Sequence, residues 1–437
     1  MKNKWLIASI LIVALIVLCG AGLLAVWSGV RLAQNNGLRF QLGVNDVSAK
    51  ATEQKTITIS DPASLSVTTD FGDIQVTGGG RDGQISVTAE KTAWGRNDAE
   101  AQAALKNLTV VYDQSGSSLA ISVRQPAEVN ALQMNSNGGS VNFIIVVPTQ
   151  TAVTLKSSSG ALSLSGTSGA ADLRTDFGEL NLSDVAAKIF AKSSNGALNI
   201  SNIGDGHKIE LSSEFGSITL NGAQGDDVSI SSNKGTLELK DVRAAGLLKL
   251  TTEFGEIHLT QGSAKIAEVH TNNGTLKLED LDVAGAITVK SDFGDLSLTS
   301  VMADRYDLNS QNGKISIDGA RGTLIASSDF GLVDVRNAQD VTATLSSKNG
   351  GVSFSGSLGD GPHTISSEFG NIKLVLPAQS AFDVDLQTDM GEIASDFEIT
   401  VSGKQMDQKH WTGKLNGGGA ELTITNDNGN ITLKSSK

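Results

Sequence analysis

Ile287-Thr288-Val289-Lys290-Ser291-Asp292-Phe293-Gly294-Asp295-Leu296-Ser297-Leu298 is the stretch that decides the fold of this chain. Apolar and polar residues alternate on both sides of an Asp-Phe-Gly-Asp step, the period-two pattern of strands with one buried face. The step recurs. Glycines stand at Gly160, Gly178, Gly196, Gly216, Gly235, Gly255, Gly274, Gly294, Gly313, Gly331, Gly350, Gly370 and Gly391, about every 19 residues. The preceding residue alternates between Phe (Phe177, Phe215, Phe254, Phe293, Phe330, Phe369) and Asn (Asn195, Asn273, Asn312, Asn349), with Lys234 standing in once. Self-similarity at a fixed period marks a repeat array, which reads as a scaffold or binding surface before it reads as an enzyme.

Within each unit the residues two and four after the glycine are apolar, as in Leu180 and Leu182, Ile257 and Leu259, or Leu296 and Leu298. A second short strand precedes the glycine, so two strands and two turns account for a unit. The pattern predicts an all-β chain: a parallel β-solenoid of ~19-residue repeats, preceded by one N-terminal transmembrane helix. Antiparallel hairpins, which Asn-Gly turns also suit, are the rival; the near-equal unit lengths favour the solenoid. A coil holds either one unit or two. With one, Phe and Asn alternate up a single edge, and the acids ahead of each Phe (Asp176, Glu214, Glu253, Asp292, Asp329, Glu368) stand two rungs apart. That spacing halves their repulsion relative to stacking at about 4.8 Å and favours one unit per coil. The glycine is expected to bend the chain through a positive φ. By strand parity Ile287, Val289, Ser291 and Phe293 point the same way, so Phe293 is expected to plug the coil corner from inside. An exposed aromatic ladder for glycan stacking is the alternative.

Residues 5–27 form an apolar run without charge, long enough to span a bilayer, with Lys2 and Lys4 before it and Arg31 after. The positive-inside rule then leaves the N-terminus cytoplasmic and residues 29–437 outside. A cleaved signal peptide is the other reading. Cys19, the sole cysteine, lies inside the run and follows Leu18 where a lipidation site needs a small residue, so it is expected to be a membrane-embedded thiol, not a lipidation site. The remaining organisation is read as leader and anchor over 1–28, a linker over 29–54, a β-rich opening module with one short helix over 55–150, the regular solenoid over 151–394 and a C-terminal cap over 395–437. A formal charge of −13 argues against nucleic-acid phosphates as partners.

The strand–Asp/Glu-Phe-Gly-Asp/Glu–strand units, and the closing Trp411-Thr412-Gly413-Lys414-Leu415-Asn416-Gly417-Gly418-Gly419 with Asn428-Gly429-Asn430-Ile431, resemble bacterial β-strand-repeat proteins labelled "putative adhesin". The resemblance covers residues 55–437 and implies an extracytoplasmic, membrane-anchored β-solenoid; it brings no catalytic or ligand residues. The histidines are scattered, and no zinc, nucleophile-elbow or phosphate-loop pattern occurs. No cofactor and no enzymatic activity are expected. The paired acids Asp176/Glu179, Glu253/Glu256 and Asp292/Asp295 are the candidate cation ligands, set against the plainer reading of solvated turns that cap backbone amides. The sequence thus points to adhesion or to binding of an envelope component, glycan or protein. A second reading is a cation- or cationic-peptide-sensing ectodomain acting through the acidic turns.

Overall fold

A computed structural model describes residues 47–124, 139–401 and 409–436. The chain forms two compact units. One comprises Met1–Ala49, Ala93–Lys106 and Ala127–Gly138. The helix Asp98–Asn107 begins there, and Asn97 caps it by accepting the Glu100 N–H at 2.9 Å.

The other unit, Lys50–Thr92, Asn107–Pro126 and Gly139–Lys437, is a parallel β-solenoid. Its repeat is legible in Leu237–Phe254, a strand bent twice. Residues 237–240 bury Leu237 and Leu239. The chain then turns at Asp241 (φ 51°), buries Val242 and Ala244, slips register over 245–246, and buries Leu248, Leu250 and Thr252. A coil therefore holds three runs and three corners, one more of each than the alternation of the sequence suggests. Each run pairs in parallel with its counterpart one unit later, Leu237 with Ile257 and Leu250 with Val269, and these in turn with Leu276 and Val289. One coil is one sequence unit of about 19 residues. Stacked Leu, Ile, Val and Ala make a continuous thin core, each coil covering the apolar face of the next.

At both ends the chain order departs from the stacking order. Strand Ser64–Phe71 lies between Ala152–Ser159 and Ser118–Arg124, and Ile74–Thr77 lies between Leu162–Ser165 and Gly139–Val146, all parallel. At the other end Ala420–Asn428 is inserted between His363–Phe369 and Phe382–Thr388. Ile431–Ser436 likewise sits between Ile372–Pro377 and Ile393–Ser395. His410–Leu415 then runs antiparallel along Phe382–Thr388 and occupies a strand edge that would otherwise be open to another chain.

The expected membrane anchor requires correction. Among the described residues no helix is long and apolar enough to cross a membrane. The fold class of the described residues is accordingly the all-β solenoid, with no transmembrane helix among them. The single-pass anchor, and the extracytoplasmic placement of residues 29–437 that depended on it, are not carried forward. The run at residues 5–27 and Cys19 lie outside the described residues.

Candidate functional site

The recurrent glycines form one edge of the solenoid, and the reason they are glycine differs from the expected one. Among them only Gly160 and Gly370, with the earlier Gly72, have a φ in the left-handed half of the map. What they share is a close approach of backbone to backbone. A Cβ placed on Gly178, Gly216, Gly255, Gly294, Gly331 or Gly370 would fall well inside 3.0 Å of the carbonyl oxygen of Gly160, Gly196, Gly235, Gly274, Gly313 or Gly350 on the adjacent coil. Glycine rests on glycine, and no side chain fits between.

A buried hydroxyl locks the same edge from inside. Three residues before each glycine stands Ser or Thr: Thr175, Ser193, Ser213, Ser232, Thr252, Thr271, Ser291, Ser310, Ser328, Ser347 and Ser367 are all buried. Ser193 Oγ donates to Gly178 O at 3.1 Å and accepts the Gly196 N–H at 2.8 Å; Ser310 does the same with Gly294 O (3.1 Å) and the Gly313 N–H (2.9 Å). Ser193, Ser213, Ser310, Ser328 and Ser347 thus each satisfy an acceptor on one coil and a donor on their own. Thr175, Ser232, Thr252, Thr271 and Ser367 donate to the glycine carbonyl one coil back, and Ser291 Oγ has no hydrogen-bond partner. Sequence reasoning missed this ladder, although its signal is present as a Ser or Thr at a fixed offset from every glycine.

Phenylalanine lies on the outside of this edge. Phe177, Phe215, Phe254, Phe293, Phe330 and Phe369 are 52–61% exposed, and Phe71 is 54% exposed. The expected internal plug is therefore wrong. Parity holds only along a straight strand, and the chain turns after the buried Ser291, which sends Phe293 to solvent. Phe254 faces Asn273, and Asn273 faces Phe293, so rings recur at every second rung. The intervening asparagine has its own function. Asn195, Asn312 and Asn349 donate through Nδ2 to the carbonyls of Asp176 (3.2 Å), Asp292 (3.0 Å) and Asp329 (3.1 Å) one coil back, which ties the Phe turn beneath them to the stack.

The six cation candidates are distributed along the same edge. Asp295 Oδ1 accepts the Lys314 N–H of the next coil at 2.8 Å, and Asp292 Oδ1 accepts from Gln311 Nε2 at 3.2 Å. Asp176, Glu179, Glu253 and Glu256 are exposed. Among the described residues no group of three or more His, Cys, Asp or Glu is placed to hold a metal ion. Cations of the chain itself come to the edge. Lys234 holds its ammonium 5.0 Å from the centre of the Phe215 ring. Lys348 Nζ lies 2.8 Å from Asp329 Oδ1, and that carboxylate raises the Lys348 pKa above its ordinary value.

The titratable groups elsewhere are structural. His363 is buried; its Nδ1 accepts the Ala343 N–H at 3.2 Å and its Nε2 contacts Gly359 O at 3.0 Å, so burial holds it neutral and lowers its pKa. His258 lies outward between Glu238 (3.2 Å) and Glu279 (3.6 Å). Tyr306, buried in the core, donates to Val301 O at 2.7 Å. A depression of about 370 Å³ beside Asp172, Arg174 and Phe190 offers little free chemistry, since Arg174 is paired with Asp172 at 2.8 Å and stacked 4.5 Å from the Phe190 ring. The described residues of the solenoid make a structural repeat.

A family model described as Toastrack DUF4097 matches residues 36–224, 186–299 and 267–434. The chain belongs to the Toastrack DUF4097 family. The β-repeat resemblance thereby gains a family, while its membrane-anchored, extracytoplasmic form remains without support. No curated protein matches the chain. Two solved structures similar to this Toastrack chain are a "putative cell adhesion protein" from Clostridium sporogenes and a "putative adhesin" from Bacteroides fragilis. The first is 10% identical, covering 89% of this chain and 100% of its own, and the second 11% identical, covering 89% and 98%. A "putative lipid binding protein" from Parabacteroides distasonis is 11% identical over 88% of this chain and 97% of its own. All three have a TM-score of 0.20, at which the likeness supports no argument about fold or function.

Proposed function

We propose that this Toastrack protein is a non-enzymatic binding scaffold of the adhesion type, which presents its Phe-Gly edge to an extended macromolecular partner. The observation that supports the reading is the line of exposed phenylalanines at every second rung. Large apolar side chains in a contiguous exposed series mark interaction surfaces more than chance exposure does. The glycine stacking and the hydroxyl ladder hold the backbone beneath the rings rigid, so a partner binds without ordering the site first. The flanking acids are charge facing that partner: Asp295 caps a backbone amide, Asp329 pairs with Lys348, and among the described residues none is gathered with further ligands.

The test is a Phe254→Ser/Phe293→Ser/Phe330→Ser variant of the full chain, compared with the native chain on a panel of immobilised polysaccharides and peptides. The reading predicts that whatever the native chain retains is lost by the variant while the melting temperature stays the same. Retention that ignores the three substitutions contradicts it.

A further inference from the structure

The spacing and charge of the edge restrict what can lie along it. Rungs stand about 4.8 Å apart, and the rings recur at every second rung. An extended partner must therefore repeat at about 9.6 Å. A β-strand presents same-face side chains every ~6.8 Å and falls out of step at once. Seven residues of an α-helix advance ~10.5 Å, an error of about 1 Å per ring that accumulates along the row. A polyproline II helix advances ~3.1 Å per residue with three residues per turn, or ~9.3 Å per turn, and stays in step across three or four rings.

The charge of the partner follows from the chain's own substitutions on this edge. Where Asn is replaced by Lys234, the ammonium settles over the Phe215 ring; Lys348 settles on the carboxylate beside Phe330; and Lys192 stands 3.7 Å from Glu214. Each shows a ring or its neighbouring acid accepting a cation. Among the described residues Phe254 and Phe293, with Glu253, Glu256, Asp292 and Asp295 around them, are exposed with no lysine over their rings. A neutral glycan would bring no charge to the exposed carboxylates of Glu253 and Glu256 or to those of Asp292 and Asp295, whose hydrogen bonds come from neutral amides. An anionic polymer would meet a chain of formal charge −13.

We infer that the edge around Phe254, Phe293 and Phe330 binds a basic, proline-rich segment in the polyproline II conformation, with a cationic side chain at every third residue placed over successive rings. The inference rests on the binding-scaffold reading above and names its partner class. Lys234 then acts as an internal competitor that limits the row at its Phe215 end.

The probe is a synthetic peptide of repeated Pro-Pro-Arg triplets, titrated into the full chain at physiological salt. Gly-Gly-Arg repeats of equal length and charge, Pro-Pro-Glu repeats and a neutral β-linked glucan oligomer serve as comparisons. The Pro-Pro-Arg peptide should bind about tenfold more tightly than Gly-Gly-Arg, as several exposed cation–π contacts in register would give. Pro-Pro-Glu should not bind. Phe254→Ser/Phe293→Ser/Phe330→Ser should erase the preference. Lys234→Asn should strengthen binding about twofold or more, while Lys249→Asn, an equal charge change at an outward strand position, should have a smaller effect. Equal binding of the two arginine peptides would reduce the effect to net charge and overturn the inference, as would a preference that survives loss of the rings. Binding of the glucan alone, dependent on the rings, would overturn the polyproline assignment but leave the scaffold reading standing. Indifference of every ligand to the rings would overturn both.

Discussion

Two corners of the same coil use small or polar residues for opposite reasons. At the Phe-Gly edge, glycine is required from outside the residue: the carbonyl of the adjacent coil occupies the space where a Cβ would go. Six residues later, the requirement comes from the residue's own backbone. Gly166, Asp184, Asn202, Gly222, Asp241, Gln261, Asp280, Ser300, Gly319 and Asn337 all have left-handed φ values, between 51° and 93°. That corner accepts Asp and Asn, which reach the left-handed region at modest cost, and tolerates even Gln and Ser. The glycine edge accepts nothing larger. A close contact with fixed backbone is a harder constraint than a strained dihedral, which is why one corner keeps its residue and the other varies.

The contrast can be broken most forcefully at the glycine edge. Gly274→Ala drives a methyl group into Gly255 O, which belongs to backbone hydrogen-bonded on both sides. It should cost about 3 kcal/mol, the upper end of overpacking penalties, and chemical denaturation measures it. Ser310→Ala removes the hydroxyl that serves Gly294 O and the Gly313 N–H. Leaving buried groups unsatisfied should cost about 1–3 kcal/mol, and hydrogen exchange at Gly313 should speed up. At the left-handed corner, Asp280→Val should cost about 1–2 kcal/mol through φ strain alone, while Asp280→Gly should be tolerated. If Asp280→Gly destabilised as much as Asp280→Val, the corner would depend on the carboxylate and not on the dihedral.

A smaller effect is expected from pH. The folded pKa of His363 lies below the ordinary histidine value of about 6.5 because burial disfavours its charged form. Its contribution to stability is thus complete above that ordinary value and is lost as pH falls from there through the lowered folded pKa. Melting temperatures between pH 8 and pH 5 should fall more for the native chain than for His363→Gln. An equal fall in both would place the acid sensitivity elsewhere. The smallest effect is expected at Phe293, whose ring lies in solvent: Phe293→Ser should change stability by no more than about 0.5 kcal/mol.

The strands and the coil length could be read from the chain because alternation and period survive every unit; Leu296, Leu298, Ile287 and Val289 all lie where a period of two puts them. The third run of each coil could not. Residues 242–244 form too short a stretch for alternation to register, and the turn at Asp241 resembles any polar strand position. Phe293 was misplaced for the related reason that parity was counted across a corner. Ser291, two residues earlier, holds the inward position and is buried. The acids of the candidate site were visible as pairs, but their hydrogen bonds to amides one coil away depend on the register between units, which no single unit contains.

The central claim is that the Phe-Gly step divides its labour, with glycine holding the stack together and phenylalanine left outside for a partner. Thermal unfolding of Gly274→Ala and Phe293→Ser side by side tests it most directly. The account predicts a marked drop in melting temperature for the glycine variant and none for the phenylalanine variant. A tolerated Gly274→Ala, together with a loss of about 3–5 kcal/mol in Phe293→Ser as for a buried ring, would contradict it.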